Sequence, residues 1–265
     1  MQKIKEKMWI WGHDRGSHDN YNIPMKSKMT PLEGAMYLGT PNMCRVVYGG
    51  KPEPPFEQDA LALDCLSKVV WSIIGDSSSA RNNNGGADTD AVSEVARKHP
   101  NIIGGIMDDF LNPGRINMYS PQSLAKFKKD LTDKSGREMQ LWTVVYTHEL
   151  NDIIKPYLKE CDVAILWTWE SKNIIGIEAN FEKFRKYWDK DKPLLGGCYL
   201  WDYGGGSKPM PMELLKYQMD FYYKLMKNGG LDGIVFCSNN VCDIGLESVE
   251  YIKNWILECG DEICY

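Results

Sequence analysis

Several acidic residues in this sequence stand directly after short apolar runs, beside aromatic residues or a second acid. Asp108 and Asp109 follow Ile-Ile-Gly-Gly-Ile-Met, Glu170 follows Leu-Trp-Thr-Trp, and Asp202 lies between Trp201 and Tyr203. Paired carboxyl groups flanking a bond are what glycoside hydrolysis requires, one as proton donor and the other as nucleophile or base. An aromatic ring beside a carboxylate suits a pyranose, whose CH-rich face stacks on the ring while its hydroxyls bind the acid. The expected catalytic residues are therefore Asp108, Asp109, Glu170 and Asp202, with Asp109 working against Glu170 or Asp202. Burial beside tryptophan is expected to raise the acid's pKa toward the working pH. Strand alternation places Asp108 and Asp109 on opposite faces, so one acid is expected in the site and the other on a loop or an arginine. His13, Asp14 and Arg15 end the first apolar run, His148 and Glu149 the fifth, and Asn239 follows the last. With Trp169, Trp201 and Tyr203 they form the expected substrate-binding set.

The elements that must position these residues repeat. Apolar, β-rich runs occupy residues 8–12, 43–49, 68–75, 102–108, 139–147, 163–168, 194–201 and 233–238, separated by helical patterns. Strands alternating with helices predict parallel βαβ units. Eight units in 265 residues predict one closed (β/α)8 TIM barrel, a single α/β domain spanning 1–265, with its chemistry where strands end. Thr30-Pro31-Leu32-Glu33 supplies an N-cap, a proline at the first helical position and a capping glutamate. Ser120-Pro121 opens another helix, and Gly136 stops it. Apolar stripes predict helices over 178–190, 212–226 and 246–257, and the second unit has room for only about two turns over 59–66. The loop over 51–55 is stiffened by prolines; that over 77–86 is polar, glycine-bearing and expected to be mobile.

A net charge of −5 without like-charge blocks argues against a nucleic-acid partner. No apolar run approaches the roughly 18 residues of a membrane span, and the charged start lacks a signal peptide's apolar core. The eight cysteines show no CxxC spacing, which predicts reduced thiols and a cytoplasmic location. No cofactor is expected.

Three motifs carry a family resemblance: Trp9-Ile-Trp-Gly-His13, Gly105-Ile-Met-Asp-Asp-Phe110 and Tyr199-Leu-Trp-Asp-Tyr203. Together the chain resembles bacterial glycoside-hydrolase-like (β/α)8 barrels. The resemblance implies a carbohydrate substrate and catalytic acids after strands four and seven, the places of Asp109 and Asp202. The α-galactosidase-like clan instead implies acids after strands four and six, matching Asp108 or Asp109 and Glu170.

Two other readings fit the residues. One is a metal-dependent barrel of the sugar isomerase or amidohydrolase kind, in which His13, Asp109, Glu149 and Glu170 ligate a divalent ion. The other is a barrel that binds carbohydrate without cleaving it.

Overall fold

The computed structural model describes residues 2–78 and 80–264, so Ser79 of the 77–86 loop lies outside the described residues. Eight strands close a barrel: β1 Met8–Gly12, β2 Asn42–Arg45, β3 Lys68–Ile74, β4 Ile102–Met107, β5 Gln140–Tyr146, β6 Val163–Trp167, β7 Leu194–Tyr199 and β8 Gly233–Cys237. All eight pairings are parallel, and β8 closes on both β7 and β1. The predicted α/β barrel is present with its strands in chain order.

The helices follow from local signals. Helix α1 (Pro31–Leu38) begins with the Thr30/Glu33 capping box and ends at Gly39. Helices α2 (Glu57–Ala62) and α3 (Thr89–Lys98) follow β2 and β3. Helix α4 (Pro121–Ser135) starts at Ser120 and stops at Gly136, whose φ of 75° suits a residue without Cβ. Helices α5 (Lys155–Glu160), α6 (Ile177–Phe184), α7 (Met212–Lys227) and α8 (Glu247–Cys259) complete the ring. Helix α2 starts two residues earlier than its apolar pattern suggests, and α6 stops at Phe184, where the chain breaks into turns.

Inside the barrel, alternate residues stack in layers. Trp9 and Trp142 lie with ring centroids 4.8 Å apart, and one layer up Trp11 and Trp167 lie 5.5 Å apart. The upper layer depends on a missing side chain. A Cβ at Gly197 would sit 2.0 Å from Cδ2 of Trp167, so glycine lets the indole cross the barrel as the floor of its mouth. Gly197→Ala is expected to cost about 1–3 kcal/mol, the usual range for overpacking, measured as a lowered urea midpoint.

Two predicted strands overrun their observed ends by more than one residue, and both differences shape the mouth. After β2, Tyr48 and Lys51 exchange backbone hydrogen bonds of 2.8 and 3.0 Å around Gly49 and Gly50, both at positive φ. The chain therefore turns instead of extending to residue 49. After β7, Trp201–Asp202 leaves the barrel and pairs antiparallel with Lys208–Pro209. At the opposite end, Gln2–Lys3 pairs with Ile263–Cys264. None of the eight cysteines is in a disulfide, and no described helix is long and apolar enough to cross a membrane.

Candidate active site at the barrel mouth

The C-terminal ends of the strands surround a cavity of about 80 Å³, roughly room for several water molecules. Trp11, Tyr146, Trp167, Tyr199 and Cys237 reach it from strand ends. Asp76, Asp108, Asp109 and Trp169 reach it from residues just beyond the strands, and His13, His18, Tyr21, Tyr48 and Tyr203 from loops.

Both acids of the Asp108-Asp109 pair line the cavity, against the expectation that they face opposite ways. The reason is local: Asp109 adopts φ 49°, a conformation uncommon outside glycine, which takes it out of strand alternation. Its Oδ2 accepts from Ser77 N at 3.2 Å and Ser77 Oγ at 2.9 Å. Neighbouring Asp76 is also held, accepting from Gly49 N at 2.8 Å, from Ser78 N at 2.9 Å and from Ser78 Oγ.

Asp108 is different. It is buried, and its Oδ1 has no hydrogen-bond partner in the protein. Burial, reinforced by the negative charges of Asp109 and Asp76, holds its carboxyl well above the usual range, while Arg115 opposes the shift. Arg115 Nη1 donates to Gly75 O at 2.6 Å and to the Asp108 carbonyl at 3.4 Å, so it braces the backbone behind the acid. Burial and the neighbouring charges favour the protonated form of this carboxyl group, which stands beside a second acid.

The two histidines that line the cavity, His13 and His18, are held neutral. Burial pushes His13 well below its usual value, with His18 and Arg45 adding to the effect, and burial brings His18 to about 3. His18 Nδ1 lies 2.7 Å from Tyr203 Oη and 3.2 Å from Ser238 Oγ, whereas His13 Nδ1 is buried without a partner. Burial also raises Tyr146, Tyr199 and Tyr203, so all three phenols stay protonated.

Glu149 lies behind the wall, its Oε2 accepting from Tyr146 N at 3.0 Å, and burial pushes it up to about 7. A carboxyl that keeps its proton in the fold but loses it near 4.5 when unfolded weakens the fold as pH rises, here until about 7. Asp108 acts in the same direction from its ordinary 3.8 upward. His13 and His18 act oppositely, costing stability only below 6.5. The melting temperature is therefore expected to fall between pH 6.5 and 7, and Glu149→Gln should flatten that fall. Equal slopes in a melting series would contradict this role for Glu149.

The other expected site residues are placed elsewhere. Asp202, carried off the barrel by its ribbon, is buried beneath the β6 loop. Its Oδ1 accepts from Ser171 N and Gly205 N, both at 3.0 Å, and its Oδ2 accepts from Ser171 Oγ at 2.6 Å. Glu170 lies past the β6 end and pairs with Lys172 at 2.6 Å. Neither lines the cavity among the described residues, so the mouth does not pair Asp109 with Glu170 or Asp202.

Asp14 turns away to Arg45, which also holds Asp59 at 2.9 Å, and Arg15 is exposed beside this cluster. Asn239 is fully buried and structural, accepting from His13 N at 2.9 Å and donating to the carbonyls of His13 and Met29. Trp201 is buried with Nε1 donating to Tyr21 O at 3.1 Å. His148 is exposed at the rim, stacked on Tyr146 with centroids 5.4 Å apart. Of the expected binding set, His13, Trp169 and Tyr203 line the cavity. The described residues contain no group of three or more His, Cys, Asp or Glu side chains able to hold a metal ion. The set His13, Asp109, Glu149 and Glu170 is thus not assembled.

Sequence reasoning passed over Trp11, Trp167, Tyr199 and Cys237 as cavity residues. Their signal was parity: each lies two positions beyond another inward residue, so alternation carries it to the top layer. Asp76 was visible as a strand-end acid. His18, Tyr21 and Tyr48 arrive on loops and had no such signal.

No protein-family model matches the chain, and no curated protein matches it in sequence. Solved structures do resemble it. Concanavalin B is 11% identical with a TM-score of 0.57, over 96% of this chain and 99% of its own. The Bacillus cereus spore cortex-lytic enzyme SleL is 12% identical with a TM-score of 0.54, over 96% of this chain and 74% of that one. The β-glucuronidase of Bacteroides uniformis is 10% identical with a TM-score of 0.53, over 89% of this chain and 30% of that one. Identities this low speak for architecture, and on that the pairing of the strands and the comparisons agree: the chain is a (β/α)8 barrel.

Proposed function

We propose that the mouth hydrolyses a glycosidic bond, with Asp108 as proton donor and Asp109 as the second carboxylate. The observation that carries this reading is the Asp108 carboxyl: buried at the cavity, unpartnered at Oδ1, and directly followed by an acid anchored through Ser77. The C1–O bond of the sugar breaks as its leaving oxygen takes the Asp108 proton. Water adds its hydroxyl to C1 and gives its remaining proton to Asp109, and exchange with solvent resets the pair. Trp167, Trp169 and Tyr199 supply faces for the pyranose ring, and His13 Nδ1 supplies a polar contact for a hydroxyl. The names of two structural neighbours, a cortex-lytic enzyme and a β-glucuronidase, support a carbohydrate reading.

The lining also restricts the sugar. It carries three carboxyl groups and, among the described residues, no lysine or arginine. An anionic sugar brought against like charge in a poorly hydrated site is repelled. Neutral nitrophenyl hexosides are therefore expected to be turned over at least tenfold better than the matching uronides. The test is release of nitrophenol from an aryl-glycoside panel. Binding of the panel without any release would favour the non-catalytic carbohydrate-binding reading, and preference for uronides would contradict the charge argument.

A further inference from the structure

We infer that the cavity accepts the non-reducing terminal unit of a glycan and not an internal one, so that cleavage removes single units from that end. This rests on the glycoside-hydrolase reading above and adds to it where the chain of the substrate can and cannot run.

The reason is the long loop after β1. It crosses the mouth and is pinned to the loops on both sides of it. Toward β7, Trp201 Nε1 donates to Tyr21 O at 3.1 Å, and His18 Nδ1 lies 2.7 Å from Tyr203 Oη. Toward β8, Asp243 accepts from Ser27 Oγ and Lys28 N, both at 2.7 Å, and Asn239 Nδ2 donates to Met29 O at 2.9 Å. Toward β2, Tyr48 Oη donates to Tyr21 Oη at 3.0 Å. The wall continues past β2 and β3, where Arg81 Nη1 donates to Gly50 O at 3.0 Å and also to Pro52 O.

From β6 through β7, β8, β1, β2, β3 and β4, the loops are thus stitched to one another by side chains, Ser171 Oγ donating to Asp202 at 2.6 Å and Tyr119 Oη to Asn82 O at 2.8 Å. The segment after β5 differs: His148 is exposed there, with Trp169 and Glu170 half-exposed beside it. A glycan can extend only across that gap. Chemistry fixes which end is inside. The unit attacked at C1 must sit beside Asp108, and the leaving group must point outward. A pocket walled behind the attacked unit leaves no place for a preceding sugar, so that unit is the chain's non-reducing end. The small cavity volume agrees, since a groove for internal units would be open at both sides.

The test uses cellohexaose, xylohexaose, mannohexaose and chitohexaose, each fluorescently labelled at the reducing end and incubated with the full chain. The expected first labelled product is the pentaose, followed in order by shorter species. Labelled di- or trisaccharides at the earliest time points would overturn the inference. A parallel arm uses Asp108→Asn and the cello-, manno- and chitohexaoses, with and without a 4,6-benzylidene cap on the non-reducing unit, by calorimetry. Loss of at least tenfold in affinity on capping supports the terminal-unit pocket, and equal affinity overturns it. End-dependent binding with no cleavage by the unaltered protein would overturn hydrolysis alone. Neither binding nor cleavage of any probe would overturn both.

Discussion

Asp108→Asn is expected to slow glycoside turnover by about 10²–10⁴-fold, the usual worth of a positioned general acid, without unfolding the protein. The amide keeps the shape of the carboxyl but has no proton to give a leaving oxygen. Stability should be unchanged or improved above pH 4, because the buried carboxyl is the group whose ionisation costs the fold as pH rises. The pH profile provides the second readout. Turnover by the unaltered protein should fall on the alkaline side as Asp108 loses its proton. Aryl glycosides with good leaving groups should suffer least from the substitution, because they depart with little protonation. The decisive measurement is kcat against pH on a glycoside with a poor leaving group, with melting curves for both proteins. Full turnover by a folded Asp108→Asn protein would end the assignment.

Asp202 separates a structural acid from a catalytic one. In Asp202→Asn the amide oxygen can still accept from Ser171 N and Gly205 N, and Ser171 Oγ can rotate to accept from the new amide nitrogen. Both turnover and melting temperature are therefore expected to stay close to those of the unaltered protein. Asp202→Ala removes the acceptor for all three donors inside a buried site. Each orphaned donor costs about 1–3 kcal/mol, so a loss on the order of 3 kcal/mol or more is expected in chemical denaturation. Were Asp202 the nucleophile or base, the asparagine variant would lose 10²-fold or more instead. That result would also require the ribbon 201–209 to move, since Asp202 does not border the cavity among the described residues.

The barrel was legible because its signals are local and repeated. The strand β1 runs over the residues its apolar pattern marks, and the Thr30/Glu33 box and Gly136 begin and end their helices as their chemistry requires. Strand ends were less legible at β2 and β7. Tyr48 and Trp201 are good strand residues, and only their neighbours show that the chain has turned. A place directly after an apolar run also did not bring Glu170 and Asp202 to the cavity lining. Both follow an apolar run, yet one meets Lys172 and the other the backbone of residues 171 and 205.

The sequence by itself determined the eight βα units and placed the Asp108-Asp109 pair at the C-terminal end of the fourth strand. Period-two and helical patterns, caps and stops are written residue by residue, so they survive without knowledge of the packing. Only the tertiary structure decided which acids meet. The positive φ of Asp109 brings both members of the pair to one cavity, and Ser77, from the neighbouring unit, holds it there. It likewise decided that Asp202 is a loop anchor and that His18, Tyr21 and Tyr48 wall the site. Those outcomes depend on contacts between residues far apart in the chain, and on burial, which shifts Asp108 and Glu149 through surroundings that no local pattern records.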